Sequence, residues 1–160
     1  MTRRPLLAVL CAIGLAPRLS KAQGPGTAAM IEPLRLSDAE WKARLSPDQY
    51  TVLRREGTER AGSSPLNGEK RSGRFVCAGC KLPLFSSDTK FESGTGWPSF
   101  FAPLPGAVVT QTDFKLLLPR TEYHCARCEG HQGHMFDDGQ KPTGKRYCNN
   151  GVALNFVGAA

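Results

Sequence analysis

Cys77-Ala78-Gly79-Cys80 and Cys125-Ala126-Arg127-Cys128 decide how this chain folds. Each is a Cys-x-x-Cys turn that presents two sulfurs from one tight bend, and 44 residues separate the two turns. Together they supply the four thiolates of a closed, tetrahedral structural zinc site. The long interval puts the two knuckles on different hairpins, so a shared metal clamps sheet ends together. Two disulfides are the alternative, favoured by an oxidising compartment, and redox-active dithiols are a third reading.

Outward from these turns the pattern is that of a mainly β protein. Short apolar or alternating runs recur at Arg74–Cys77, Val108–Thr112, Phe114–Leu118, Thr121–Cys125, Arg146–Cys148 and Val152–Phe156. Gly, Pro and Asp clusters divide them, which predicts short antiparallel strands joined by long loops. No run of helical period follows residue 60, and no repeat appears beyond the duplicated cysteine turn.

Upstream, two short helices are predicted. Ser37-Asp38-Ala39-Glu40 has the spacing of a capping box, with Trp41, Leu45 and Tyr50 on the expected buried side. Ser46-Pro47-Asp48 opens a second helix with proline at its favoured first position. Its apolar members are Tyr50, Val52 and Leu53. Residues 57–73 read as a polar loop.

Residues 1–22 stand apart. Arg3-Arg4 precedes an apolar run from Leu6 to Ala16, and Ser20-Lys21-Ala22 offers a small-x-small cleavage site. This is the layout of a signal peptide, with twin-arginine character, and it predicts an exported, periplasmic or secreted protein. An uncleaved anchor or an organellar presequence are the alternatives. Residues 23–36 read as a linker, leaving one domain over 37–158. The net charge of +7 is partly a property of the leader, which holds four basic residues and no acid. Without it, 17 basic residues face 14 acidic ones. Such a surface requires no nucleic-acid partner.

Six cysteines are present; Cys11 falls in the leader and four fall in the knuckles, so Cys148 is left over. It lies in Arg146-Tyr147-Cys148-Asn149-Asn150, downstream of His131-Gln132-Gly133-His134. A nucleophilic thiolate needs nearby positive charge or donors, which Arg146 and the imidazoles can provide. Histidine is also the natural proton donor near neutral pH. A buried, inert cysteine and a second metal at His131 and His134 are the competing readings.

Several stretches resemble the methionine-R-sulfoxide reductase B family. They are Leu53–Glu59, Cys77-x-x-Cys80 with Leu84-Phe85, Lys90–Phe100 including Gly96-Trp97-Pro98-Ser99-Phe100, Cys125-x-x-Cys128, His131-x-Gly133-His134-x-Phe136-x-Asp138-Gly139, and Arg146-Tyr147-Cys148-x-Asn150. The likeness spans roughly residues 37–157. It implies two small antiparallel sheets packed together, short N-terminal helices, and one structural zinc on Cys77, Cys80, Cys125 and Cys128.

The resemblance also implies roles. Cys148 is the nucleophile that attacks the sulfoxide sulfur of the R epimer and becomes a sulfenic acid. His131 and His134 bind or protonate the sulfoxide oxygen, and Asn150 completes the catalytic group. Trp97 and Phe136 hold the substrate, while Asp138 and Arg146 support the polar network. Thr95 stands where many members carry a recycling cysteine, which predicts regeneration by an external, thioredoxin-like or other thiol. Gly151 replaces a common Ser and is expected to alter only loop packing. The expected substrate is protein-bound methionine sulfoxide, and a monomer without stable membrane association after cleavage is anticipated. The rival readings are an inactive zinc-ribbon interaction module and a thiol–disulfide exchange protein.

Overall fold

The computed structural model describes residues 31–116 and 118–159; the proposed leader, Cys11 and the first part of the linker lie outside them. The described residues form α1 (Asp38–Arg44), α2 (Pro47–Arg55) and nine strands: β1 (Gly73–Cys77), β2 (Pro83–Ser86), β3 (Lys90–Phe91), β4 (Ser99–Phe100), β5 (Val108–Asp113), β6 (Arg120–Cys125), β7 (His131–Phe136), β8 (Arg146–Asn149) and β9 (Leu154–Gly158). A three-stranded sheet has the order β2-β1-β9, and a six-stranded sheet the order β3-β4-β8-β7-β6-β5. All pairings are antiparallel. The architecture is the expected mainly β one, with two sheets and two short leading helices.

Both helices begin with complete capping boxes, Ser37 with Glu40 and Ser46 with Gln49, which satisfy otherwise orphaned N–H groups. Trp41 of α1 and Val52 and Leu53 of α2 are buried. Tyr50, expected among the buried residues, is only half-buried, and its hydroxyl donates to Asp38. Arg54 lies over the Trp41 ring at 4.9 Å and donates to the Cys128 carbonyl at 2.9 Å, tying α2 to a knuckle. The described end of the linker is strapped down as well: Leu34 donates to the Arg127 carbonyl at 2.7 Å.

The sheets face each other through an aromatic core. Phe85 of the small sheet stacks on Phe100 of the large one at 4.1 Å, and Phe75 meets Phe100 edge-on at 4.9 Å. Tyr123 and Tyr147 extend the cluster. Phe75, Phe85, Phe100 and Tyr123 are fully buried, and burial of each such side chain contributes about 1.5–3 kcal/mol. The Tyr123 hydroxyl is satisfied inside by Asn149 at 2.7 Å, as a buried polar group must be.

The strand list needs three corrections. Phe114–Leu118, expected as a strand, is the connection between β5 and β6, and Phe114, Leu116 and Leu118 are exposed. Val152–Phe156 begins as a 3₁₀ turn at Gly151–Ala153 and becomes β9 only at Leu154. Strands β2, β3, β4 and β7 were not expected at all. In β7 the apolar alternation is broken, because Gln132 is fully buried and Gly133 has no side chain.

Candidate active site

The two knuckles meet where the sheets meet. Cys77 and Cys80 cap the β1–β2 hairpin, and Cys125 and Cys128 cap β6–β7. The two bends are built alike. In each, the residue after the second cysteine donates to the first cysteine's carbonyl, Lys81 to Cys77 at 2.8 Å and Glu129 to Cys125 at 2.9 Å. Both of these residues adopt the left-handed conformation, with φ of 64° and 58°.

All four sulfurs are buried and lie within 4.8 Å of one another. The close approaches run between knuckles: Cys77 to Cys128 at 3.6 Å and Cys80 to Cys125 at 3.4 Å. Sulfurs bound to one tetrahedral zinc stand about 3.8 Å apart, so the donor set fits that ion. Gln132 also donates to the Cys77 sulfur at 3.5 Å, a contact that suits a thiolate ligand. Among the described residues this is the one group of His, Cys, Asp and Glu side chains suited to a metal, which leaves no second ligand set at His131 and His134.

The remaining thiol lies elsewhere in the large sheet. Gln111, Glu122, His134, Cys148 and Ser99 are successive partners across β5, β6, β7, β8 and β4. Partners in a ladder project from the same face, so this row forms one polar stripe. The adjoining row of Thr121, Met135, Tyr147 and Phe100 turns its aromatic members toward the core. A cavity of about 150 Å³ opens over the stripe, lined by Thr58, Trp97, Arg120, Gly133, His134, Phe136, Cys148, Asn149 and Asn150. Two larger grooves among the described residues, one beside α2 and β9 and one beside β1 and β2, are lined by no cysteine.

Cys148 is partly buried, and burial pushes its thiol up; the Arg146 charge and hydrogen bonds from Thr95 and Arg146 oppose that shift. Arg146 is itself fixed. It donates twice to Asp138, at 2.8 Å each, and its guanidinium lies over the Phe136 ring at 4.4 Å. Arg146 also holds the Asp138 carboxyl below its ordinary value. The supporting pair, the aromatic wall and the thiol are therefore one connected group.

His134 Nε2 contacts the Asp113 carboxylate at 2.8 Å. Asp113 also accepts from Arg120 at 2.6 Å and from the Lys115 N–H at 2.8 Å. The Lys115 N–H, His134 and Arg120 draw its pKa down to about 2. His131 is placed differently. It does not line the Cys148 cavity; it borders a polar pocket on the β5–β6–β7 side with Glu122, Gln111 and His124. Burial lowers the His131 pKa, while Glu122 at 2.5 Å stays ionised. A neutral imidazole held by that carboxylate meets the His134 ring edge-on at 5.5 Å. His131 thus touches His134 and borders a different pocket from the one over Cys148.

Asn150 lines the cavity, but its amide is committed to backbone. Its Nδ2 donates to the Gln132 carbonyl at 3.0 Å, and its Oδ1 accepts from the Glu59 N–H at 3.0 Å. Trp97 Nε1 donates to the Glu59 carbonyl at 3.2 Å, which turns the indole onto the cavity wall. The Glu59 carboxylate accepts from the Gly151 and Val152 N–H groups. One residue of the loop after α2 therefore holds both Trp97 and the turn after Cys148. A Cβ at Gly151 would meet the Ser64 hydroxyl at 1.9 Å, so glycine here admits a close approach of that loop.

Sequence reasoning missed Asp113, Glu122 and Arg120 as site residues and did not separate Glu59 from its stretch. Their signal is cross-strand register, which no local pattern reveals.

The SelR domain model matches residues 45–158. A protein of Leptospira interrogans named peptide methionine sulfoxide reductase MsrB is 50% identical over 121 residues, 75% of this chain and 92% of its own. A Pseudomonas putida protein of the same name is 52% identical over 118 residues, 73% of this chain and 89% of its own. The chloroplastic peptide methionine sulfoxide reductase B1 of Arabidopsis thaliana is 51% identical over 122 residues, 76% of this chain but only 60% of its own length. The matched span contains both knuckles, the polar stripe and Trp97, and the chain belongs to the SelR domain family, that of the methionine-R-sulfoxide reductases of the B type.

Proposed function

We propose that this protein reduces the R epimer of protein-bound methionine sulfoxide, with Cys148 as nucleophile and an external thiol restoring it. The observation that carries this reading is the pairing of His134 with Cys148 on adjacent strands under one small cavity walled by Trp97 and Phe136. The relatives' name, peptide methionine sulfoxide reductase, supports the same chemistry.

In this mechanism the Cys148 thiolate attacks the sulfoxide sulfur. A bond forms between the two sulfurs as His134 delivers a proton to the sulfoxide oxygen; the resulting hydroxyl then passes to the Cys148 sulfur, and the S–O and S–S bonds to the substrate sulfur both break. Methionine leaves with its sulfur reduced by two electrons, and Cys148 keeps the oxygen as a sulfenic acid, oxidised by two. Two equivalents of an external thiol then give a disulfide, water and the free Cys148 thiol. Arg146 favours the attacking thiolate against burial. Asp113 fixes His134 from one side, and His131 touches it from another. Trp97 and Phe136 offer apolar and sulfur–aromatic contact to the methyl end of the substrate.

Cys77, Cys80, Cys125 and Cys128 would hold one zinc, which supplies folding energy by tying the sheets together. All four are buried, which argues against thiol exchange at either Cys-x-x-Cys pair. The inactive zinc-module reading leaves the cavity over Cys148 without a purpose. Export to the periplasm or beyond is also proposed, on residues 1–22 alone.

A single-turnover experiment tests the mechanism. Zinc-loaded protein without reductant should yield one methionine per chain from the R epimer and a Cys148 that reacts with dimedone. Several turnovers without reductant, or no sulfenic acid at Cys148, would overturn it.

A further inference from the structure

Three large apolar side chains stand exposed on one short connection: Phe114 (74%), Leu116 (59%) and Leu118 (76%). Clustered exposure of this kind marks a contact surface, whereas isolated apolar residues need no explanation. The connection has both feet at the Cys148 cavity. Asp113, before it, holds His134, and Arg120, after it, lines the cavity and binds Asp113 at 2.6 Å. From the middle, Lys115 pairs with Glu56, which borders the polar pocket beside His131. The short connection that carries these side chains thus begins and ends beside the cavity.

The cavity, at about 150 Å³, has room for one side chain. Any polypeptide that places a methionine sulfoxide there must lay its neighbouring residues outside, across the rim. Methionine is used mainly in protein interiors, so the residues flanking it are commonly apolar and become accessible when oxidation loosens the core. We infer that Phe114, Leu116 and Leu118 form a docking surface for an extended polypeptide whose methionine sulfoxide is flanked by apolar side chains. This rests on the proposed reductase activity and names the substrate that activity selects.

The test uses the zinc-loaded protein and a Phe114→Ser/Leu116→Ser/Leu118→Ser variant. Three R-sulfoxide substrates are compared: N-acetyl-methionine sulfoxide, a peptide with Val and Leu flanking the sulfoxide, and one with Gly and Ser there. Burial of even one apolar side chain predicts a kcat/KM about tenfold or more in favour of the apolar peptide. That preference should vanish in the variant, through KM, with N-acetyl-methionine sulfoxide turned over as before. Equal kcat/KM for the two peptides in the original protein, or a preference surviving in the variant, overturns the inference. So does loss of dimerisation or of binding to anionic vesicles in the variant with peptide preference intact, since another partner then covers the patch. No turnover of any sulfoxide by the original protein would instead overturn the reductase reading, and this inference with it.

Discussion

His134 and Cys148 are direct partners in the β7–β8 ladder, so the register of two strands sets the imidazole beside the thiol. That register depends on Gly133. A Cβ there would come within 1.9 Å of the Cys148 carbonyl oxygen and 3.3 Å of the Asn149 Cα. Gly133→Ala must push β8 away. The expected outcome is a loss of about 1–3 kcal/mol in urea unfolding and a fall in kcat/KM of about a hundredfold from the misplaced thiol. An unchanged rate would detach catalysis from this register.

Arg146 opposes the burial that raises the Cys148 pKa. Removal of the guanidinium leaves burial unopposed, so the thiolate becomes scarcer at neutral pH and appears only at higher pH. Iodoacetamide labelling of Cys148 followed against pH should show its midpoint moved upward in Arg146→Met. A midpoint that stays in place or moves downward would mean that Arg146 does not act on the thiol.

The sulfur cluster draws two ligands from each sheet, and a shared metal there is folding energy. Purified protein should contain one zinc per chain. Its removal by chelation should lower Tm on the order of 10 °C or more, and Cys128→Ser should do the same. Full-strength folding without metal would leave the aromatic core alone holding the sheets.

Thr95 helps hold the Cys148 pKa down against burial, and its hydroxyl bonds that of Ser93 at 2.8 Å. No described cysteine outside the metal cluster is free to pair with Cys148. The oxidised protein should therefore carry no internal disulfide, whereas Thr95→Cys should form one to Cys148 after a single turnover. Intact-mass measurement distinguishes them: sulfenic acid adds an oxygen, and the disulfide removes two hydrogens. An internal disulfide in the unaltered chain would contradict regeneration by an external thiol.

The parts of this fold written in local sequence were legible there. Ser37 with Glu40 and Ser46 with Gln49 cap helices through contacts three residues apart. The cysteine turns are equally local, and their pairing followed from ligand count. Strand β7 was not legible, because its buried members include Gln132 and Gly133 rather than alternating apolar residues. The apolar run Phe114–Leu118 misled for the opposite reason: Phe114, Leu116 and Leu118 are exposed. Strands β3 and β4 have two residues each, too few to carry a period. Within the site, motif resemblance located Cys148, His134, Trp97 and Arg146, but not the carboxylates behind the imidazoles. Asp113 and Glu122 become site residues only through strand pairing, and Asn150 proved to be bonded to backbone on both sides.

The account turns on a single thiol acting on one epimer of one oxidised side chain. Turnover of R- and S-methionine sulfoxide by the zinc-loaded protein and by Cys148→Ser, with dithiothreitol as reductant, tests it most directly. The account predicts reduction of the R epimer alone and none by the variant. Turnover that persists in Cys148→Ser, or that favours the S epimer, would contradict it.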